Sequence, residues 1–378
     1  MVLLYGVEYS REELLKRVGS IEQVGGVKLL ELVEGSERGV RAALVRTGEL
    51  SFLVLMDRGM DIANAEYKGV PLGWISQTGI VGPAFFEPKR FGWLRGFFGG
   101  LLTTCGLTYA GAPTVDEGEE LGLHGRISYT PAKGVRAGGS WEGDDYVIFV
   151  EGEVREAKVF GPNMVLHRRI EAKLGERRIF IHDIVTNEGW ETQPFMILYH
   201  FNIGFPIVDA GSRLVTTSIR YVPRDEEAWK DVEEFDVFQA PTEGFKERVY
   251  FHDMLPDKDG FVYAGLINER FRGEGIGVYL KYKKDSLHRF IEWKMNGEGT
   301  YVVGMEPANC LVMGRDKERA WGTLQFLKPQ ESREFHIEVG VLVGKDEIKD
   351  FIERVTSITG GAKPELIKSV DEFVEVTR

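Results

Sequence analysis

Hydrophobic and β-branched residues alternate with polar ones in short runs along most of this chain. The clearest runs cover 39–46, 51–56, 146–154, 168–174, 178–187, 195–202, 277–283, 289–295 and 334–343, separated by Gly, Asp, Glu or Asn. Runs of this length and composition predict strands. Between them the chain lacks the long 3.6-residue periodicity that crossover helices need. An all-β sandwich or barrel is therefore expected rather than βαβ units. Helix is predicted only at the two ends. Ser10 and Glu13 have the spacing of a capping box and start a short helix, to about Val18, within an N-terminal helical segment, 1–20. Segments 346–356 and 364–374, within a C-terminal helical region, 346–378, carry helical apolar spacing with many charges and suit the edge or open face of a sheet. No internal repeat, low-complexity segment or linker divides the chain, so one domain spanning 1–378 is expected.

Turn chemistry refines this picture. Asn187-Glu188-Gly189 lies between two strand-like runs and reads as a hairpin connection. Gly273-Glu274-Gly275-Ile276-Gly277 lacks the strand-to-helix setting of a dinucleotide loop and reads as turn glycines entering a strand. The region 80–111 is rich in aromatics and glycine, with Trp93, Phe97 and Phe98 inside it. Such a stretch suits a long packed loop that walls a site or seals the end of a sandwich.

The most informative strand is 195–204, closed by Gly204 and Pro206. Side chains of a strand alternate between faces, so Met196, Leu198, His200 and Asn202 share one face, and Phe195, Ile197, Tyr199 and Phe201 the other. An imidazole and a carboxamide beside apolar neighbours make either a hydrogen-bonded core histidine or the wall of a site.

Composition changes the picture mainly by exclusion. The 378 residues are 43% hydrophobic and 28% charged, ordinary for a globular protein. The net charge of −12 argues against general nucleic-acid binding, which needs a cationic footprint, but leaves room for a local cationic pocket. The N-terminus does not read as a signal peptide, and no run reaches membrane-spanning length. With two cysteines, Cys105 and Cys310, in apolar or small-residue surroundings, no disulfide framework is expected, and a reducing cytoplasm fits.

Candidate chemistry rests on imidazole, carboxylate and guanidinium groups. The seven histidines include no pair with the spacing of a helical zinc motif, and there is no CxxC or G-x-S-x-G element. No metal or cofactor is expected, and a metal held by histidines dispersed over several strands would leave no sequence signal. Polar residues interrupt apolar or Gly-rich contexts in Asp57-Arg58-Gly59-Met60-Asp61, Leu123-His124-Gly125-Arg126, the His200 strand, and Gly304-Met305-Glu306-Pro307-Ala308-Asn309. In an extended segment His124 and Arg126 would point the same way. Glu306 ends an apolar run just before Pro307; a carboxylate there needs a salt bridge or a function. Arg58 reads equally as a structural turn arginine. Lys294 shares a strand face with Glu292 and reads either as a ligand group or as a solvated one.

These segments, in this order, resemble the aldose 1-epimerase or galactose mutarotase-like superfamily, closest to a divergent, DUF4432-like branch. Asp57-Arg58-Gly59-Met60-Asp61-Ile62 resembles the early arginine-containing strand, and Leu123-His124-Gly125-Arg126 the His-Gly element. Asp183 through Gly189 with Pro194 through Asn202 resembles the segment bearing the catalytic histidine, and Gly304 through Asn309 the one bearing the catalytic glutamate. The resemblance implies a large two-layer antiparallel β-sandwich with a few peripheral helices and a site on a concave sheet face. It implies that Glu306 is the base at an anomeric hydroxyl, ionised at pH 7, that His200 is the acid at the ring oxygen, and that His124 holds the sugar. Arg58 and Arg126 are candidates to orient hydroxyls or an anionic substituent, with Asn202, Asn309 and Lys294 as further substrate-binding candidates. The expected partner is a small-molecule carbohydrate, with monomer and homodimer both open. Two other readings stand beside mutarotation: an isomerase or C-epimerase of an open-chain sugar or sugar acid, and a non-catalytic carbohydrate-binding protein. The spacing from the histidine to the Phe-Asn pair departs from the family pattern, and no position matches the family's substrate-orienting aspartate.

Overall fold

The computed structural model describes residues 1–378. Two large sheets, of 13 and 8 strands, face each other across a continuous apolar core. The strands that build the site and its support are, in chain order, β1 (Asp61–Tyr67), β2 (Leu102–Leu107), β3 (Asn163–Lys173), β4 (Arg178–Asn187), β5 (Gln193–Gly204), β6 (Arg248–Met254), β7 (Arg289–Gly297), β8 (Thr300–Ala308) and β9 (Ser332–Val343). The 13-strand sheet carries the run β6-β7-β8-β5-β2-β1, and the 8-strand sheet the run β3-β4-β9. Strand-to-strand pairing is antiparallel except where Arg220–Tyr221 run alongside Glu365–Leu366. The all-β, two-layer reading of the sequence describes this architecture.

The alternation read in β5 decides where the core sits. Tyr199, Phe201 and Ile203 face the 8-strand sheet and pack with Leu166, Ile181 and Ile337. Met196 and Leu198 face the opposite way and join a second apolar cluster with Phe251, Ile291 and Trp93. One strand thus carries two cores, which is why its apolar run is nearly continuous.

Helix is peripheral. α1 (Arg11–Leu15) has the capping box of Ser10 and Glu13 but stops short of Val18. α2 (Arg315–Trp321) follows the glutamate strand. α3 (Gly344–Thr359) packs Ile348, Phe351 and Val355 onto the 8-strand sheet, as the charged amphipathic spacing predicts. The second C-terminal segment differs from expectation: Glu365–Leu366 extend the large sheet first, and α4 (Val370–Val376) begins only at its cap, Ser369.

Asn187-Glu188-Gly189 is not a hairpin. β4 belongs to the 8-strand sheet and β5 to the 13-strand sheet, so the connection crosses between layers. The buried Asn187 carboxamide steers it, donating to the carbonyls of Glu191 (2.8 Å) and Leu327 (2.9 Å) and accepting from the Gly189 amide (2.9 Å). No helix is long and apolar enough to cross a membrane.

Candidate active site

The site lies on the face of the large sheet that carries His200, away from the central core. The pairs Phe201–Met305 and Leu198–Ala308 fix the register of β5 against β8 and set His200 beside Glu306. Their side chains meet, His200 Nε2 to Glu306 Oε1, at 3.2 Å. Gly304, two residues before Glu306 on the same face, makes the meeting possible. A Cβ there would stand 2.5 Å from Glu306 Oε1 and 3.3 Å from His200 Cε1.

A cavity of about 180 Å³ opens onto this pair. The loop 80–111 supplies one wall through Phe91, Trp93, Leu94 and Phe97, so the aromatic-and-glycine stretch does wall the cavity. Val249 of β6 and Ile291 and Trp293 of β7 supply another wall. Phe97 and Trp293 flank the His200 ring at centroid distances of 5.3 and 5.4 Å.

His124 completes the polar part, its ring 5.9 Å from that of His200 and nearly perpendicular to it. Its segment is not extended. His124 (φ 57°) and Gly125 (φ 75°) are both left-handed. Glycine is required at 125, where a Cβ would lie 2.3 Å from the Tyr109 carbonyl oxygen and 2.5 Å from that of Gly106. This turn separates His124 from Arg126, against the expectation that they point the same way. Arg126 lies over the Phe86 ring and lines a different cavity, with Glu156 and Lys158.

Desolvation dominates the electrostatics. Burial pushes the Glu306 carboxyl well above the usual carboxylate range; Glu247 adds to this and Arg224 opposes it. Burial pushes His200 well below the usual imidazole range; His124 adds to this and Asn202 opposes it. Burial also takes His124 down to about 4. The expectation of an ionised Glu306 at pH 7 is thus corrected: its partner is a buried imidazole that resists protonation, so the pair favours a neutral carboxyl beside a neutral ring. Nδ1 of His200 and Nδ1 of His124 are buried without a hydrogen-bond partner.

The remaining candidates lie elsewhere. Arg58 is fully buried and donates to three carbonyls, of Ser128 (2.6 Å), Val81 (2.5 Å) and Gly96 (3.0 Å), with its guanidinium 3.9 Å from the Tyr129 ring centroid. It fastens the loop that walls the cavity and does not reach the cavity itself. Asn202 shares the His200 face but donates to the carbonyls of His200 (2.8 Å) and Gly99 (3.2 Å). Asn309 ties β5 to the end of β8 through the Ile197 amide (2.7 Å) and the Phe195 carbonyl (3.1 Å). Lys294 is neither solvated nor in the site. It is buried on the other face of β7, where it donates to the carbonyls of Glu234 (2.6 Å) and Val237 (2.7 Å) beside the buried Glu292.

Three cavity residues escape sequence reasoning. Trp293 Nε1 donates to Glu247 Oε2 (2.8 Å), and Arg224 reaches Glu247 Oε1 (3.0 Å). Trp293 alternates with Glu292 and Lys294, so the face opposite those charges was its signal. Arg224 and Glu247 come from loop ends without pattern. Cys105 and Cys310 are both buried, with thiols pushed well above their usual range by burial.

The two-sheet antiparallel sandwich is the fold of galactose mutarotase-like proteins. Residues 37–341 match the DUF4432 family, a domain of unknown function, and the chain belongs to that family. A provisionally named aldose 1-epimerase from Klebsiella pneumoniae superposes with a TM-score of 0.86 at 24% identity, covering 91% of this chain and 90% of that one. A galactose mutarotase-like protein from Clostridium acetobutylicum gives 0.56 at 12% identity, with 84% and 99% covered. Galactose 1-epimerase from Lactobacillus acidophilus gives 0.56 at 12%, with 85% and 100% covered. These similarities establish the fold. No protein of curated function matches the chain.

Proposed function

We propose that this protein is an aldose 1-epimerase that interconverts the α and β anomers of a sugar or sugar derivative. The reading rests above all on the 3.2 Å contact between His200 Nε2 and Glu306 Oε1 at the floor of an aromatic-walled cavity. Mutarotation needs one base at the anomeric hydroxyl and one acid at the ring oxygen, and no cofactor. Aromatic side chains offer apolar faces to the C–H surface of a pyranose, while His124 supplies a neutral imidazole to hold an oxygen.

The proton balance closes on this pair. With a cyclic sugar bound, the proton of the neutral pair first passes from Glu306 to His200 along their 3.2 Å contact; Glu306 as carboxylate then takes the proton of the anomeric hydroxyl, and His200 as imidazolium gives one to the ring oxygen. The ring C–O bond breaks and the open-chain aldehyde forms. Glu306 is then neutral, and so is His200. That is the distribution burial favours, so the site stabilises the open-chain stage relative to the charge-separated pair. Rotation about the C1–C2 bond and the reverse transfers close the ring to the other anomer.

The test is anomeric exchange by NMR magnetisation transfer over neutral, acidic and phosphorylated sugars in heavy water. Exchange above the spontaneous rate for one class, without deuterium entering carbon, supports mutarotation. Deuterium at carbon would replace it with C-epimerisation or isomerisation, and binding shifts without exchange would replace it with a binding function.

A further inference from the structure

We propose that His182, Glu334 and His336 form a binding site for a borderline divalent transition cation such as Zn²⁺, on the outer face of the 8-strand sheet and independent of the His200 cavity. His182 of β4 and His336 of β9 are directly opposed in register. Glu334, two residues before His336, projects from the same face. The two imidazole rings stack, with centroids 4.3 Å apart and planes 17° from parallel.

Both rings aim Nε2 at one atom, Glu334 Oε1, at 2.6 Å from His182 and 3.0 Å from His336. The three potential ligand atoms all lie within 4.8 Å of one another. Two N–H groups converging on one carboxylate oxygen put protons where a cation would stand. A tetrahedral cation with bonds of about 2.0–2.1 Å holds its ligand atoms roughly 3.4 Å apart. Small rotations of three half-exposed side chains open the cluster to that spacing, with the strands unmoved.

The surroundings do not compete for these ligands. Arg169, opposite His182 on the other side of β4, is engaged by Glu151 and Glu171. Two imidazoles and one carboxylate suit Zn²⁺, Ni²⁺ or Cu²⁺ over Mg²⁺ or Ca²⁺, which prefer all-oxygen sites. Solvent on the open side can complete the coordination.

The test is calorimetric titration of the full chain with Zn²⁺ alone, repeated for His182→Ala, His336→Ala, Glu334→Gln and His200→Ala. One equivalent is expected to bind to the wild type. Loss of even an outer partner of a metal ligand typically costs about 10–100-fold in affinity, so each of the first three changes should cost at least about tenfold. His200→Ala should leave binding unchanged. Absence of binding by the wild type, or equal binding by His182→Ala, overturns the site. The electron paramagnetic resonance spectrum of the Cu²⁺-loaded chain gives a second readout. Coupling to two nitrogens is expected in the wild type and to one in His336→Ala; identical spectra would contradict the assignment.

Discussion

Tyr199 and His200 are neighbours on β5 that point to opposite faces of one sheet, and each ends in a buried ionisable cluster. On the inner side, Tyr199 donates its hydroxyl to Asp183 Oδ2 (2.7 Å), and Arg168 holds Asp183 through Nε (2.9 Å) and Nη2 (2.6 Å). Arg168 also reaches Asp61 Oδ1 (3.1 Å), which in turn accepts from the Thr104 amide (3.0 Å) and hydroxyl (2.7 Å). Asp61 and Tyr199 belong to one sheet, Arg168 and Asp183 to the other, so the cluster pins the two layers. Nearly every donor and acceptor is satisfied, Asp61 Oδ2 being the exception. On the outer side, His200 and Glu306 have a single contact with each other, and the imidazole Nδ1 has none. Both clusters bear the cost of desolvation, and the inner one offsets much of it through a hydrogen-bonded network, Asp61 keeping an unrecovered share. A buried pair left open toward a cavity is what acid–base chemistry requires and what stability alone would not select.

The largest expected effect separates the two clusters by rate. Glu306→Gln should lower anomeric exchange by about 10²–10⁴-fold, the usual worth of a positioned general acid or base. Its unfolding free energy should stay level or rise, since a buried carboxyl is replaced by an amide of the same shape. Loss of stability with retained rate would reverse the roles assigned to the two clusters.

The inner cluster should answer in stability instead. Arg168→Met leaves Asp61 and Asp183 without their cation and should cost about 3–5 kcal/mol in denaturant unfolding. A smaller change than that of an ordinary surface substitution would show that the network does not pin the sheets.

Acid should expose Asp61. Burial pushes its carboxyl up to about 6, although Arg168, Thr104 and Arg58 oppose the rise. A carboxyl whose folded pKa lies above its unfolded value binds more protons when folded. Its cost is therefore absent below about pH 4 and complete above about pH 6. The contribution is a fall in stability of about 3 kcal/mol across that window. Asp61→Asn should flatten this slope, measured as unfolding free energy against pH; an unchanged slope would assign the titration elsewhere.

The smallest effect sharpens the outer boundary. Trp293→Phe keeps an aromatic wall but removes the hydrogen bond to Glu247. A hydrogen bond to a charged group is worth about 1.5–3 kcal/mol, and only the part that positions the wall reaches the sugar, so an apparent affinity weaker by roughly two- to tenfold is expected, with little change in turnover at saturation. A collapse of turnover would instead place Trp293 in the chemistry.

What could be read from the sequence was local and periodic. Alternation in 195–204 separates Tyr199 from His200 correctly, and the order of the four polar segments brings His124, His200 and Glu306 to one family pattern. What could not be read depends on where distant chain returns. Arg58 is consumed by carbonyls of residues 81, 96 and 128, which no spacing announces. Lys294 is covered by the segment 228–238 and bonded to it. Arg126 is turned away by two left-handed residues, His124 and Gly125, in a segment read as extended. The cation cluster of His182, Glu334 and His336 needs β4 and β9 paired at one register, although they lie far apart in the chain.

Under the proposed function, the open pair on the outer face carries chemistry and the closed network on the inner face carries stability. Anomeric exchange and unfolding free energy measured side by side for Glu306→Gln and Arg168→Met test it most directly. A lost rate with intact stability is expected for the first and lost stability for the second. A Glu306→Gln protein that exchanges anomers at the wild-type rate would contradict it.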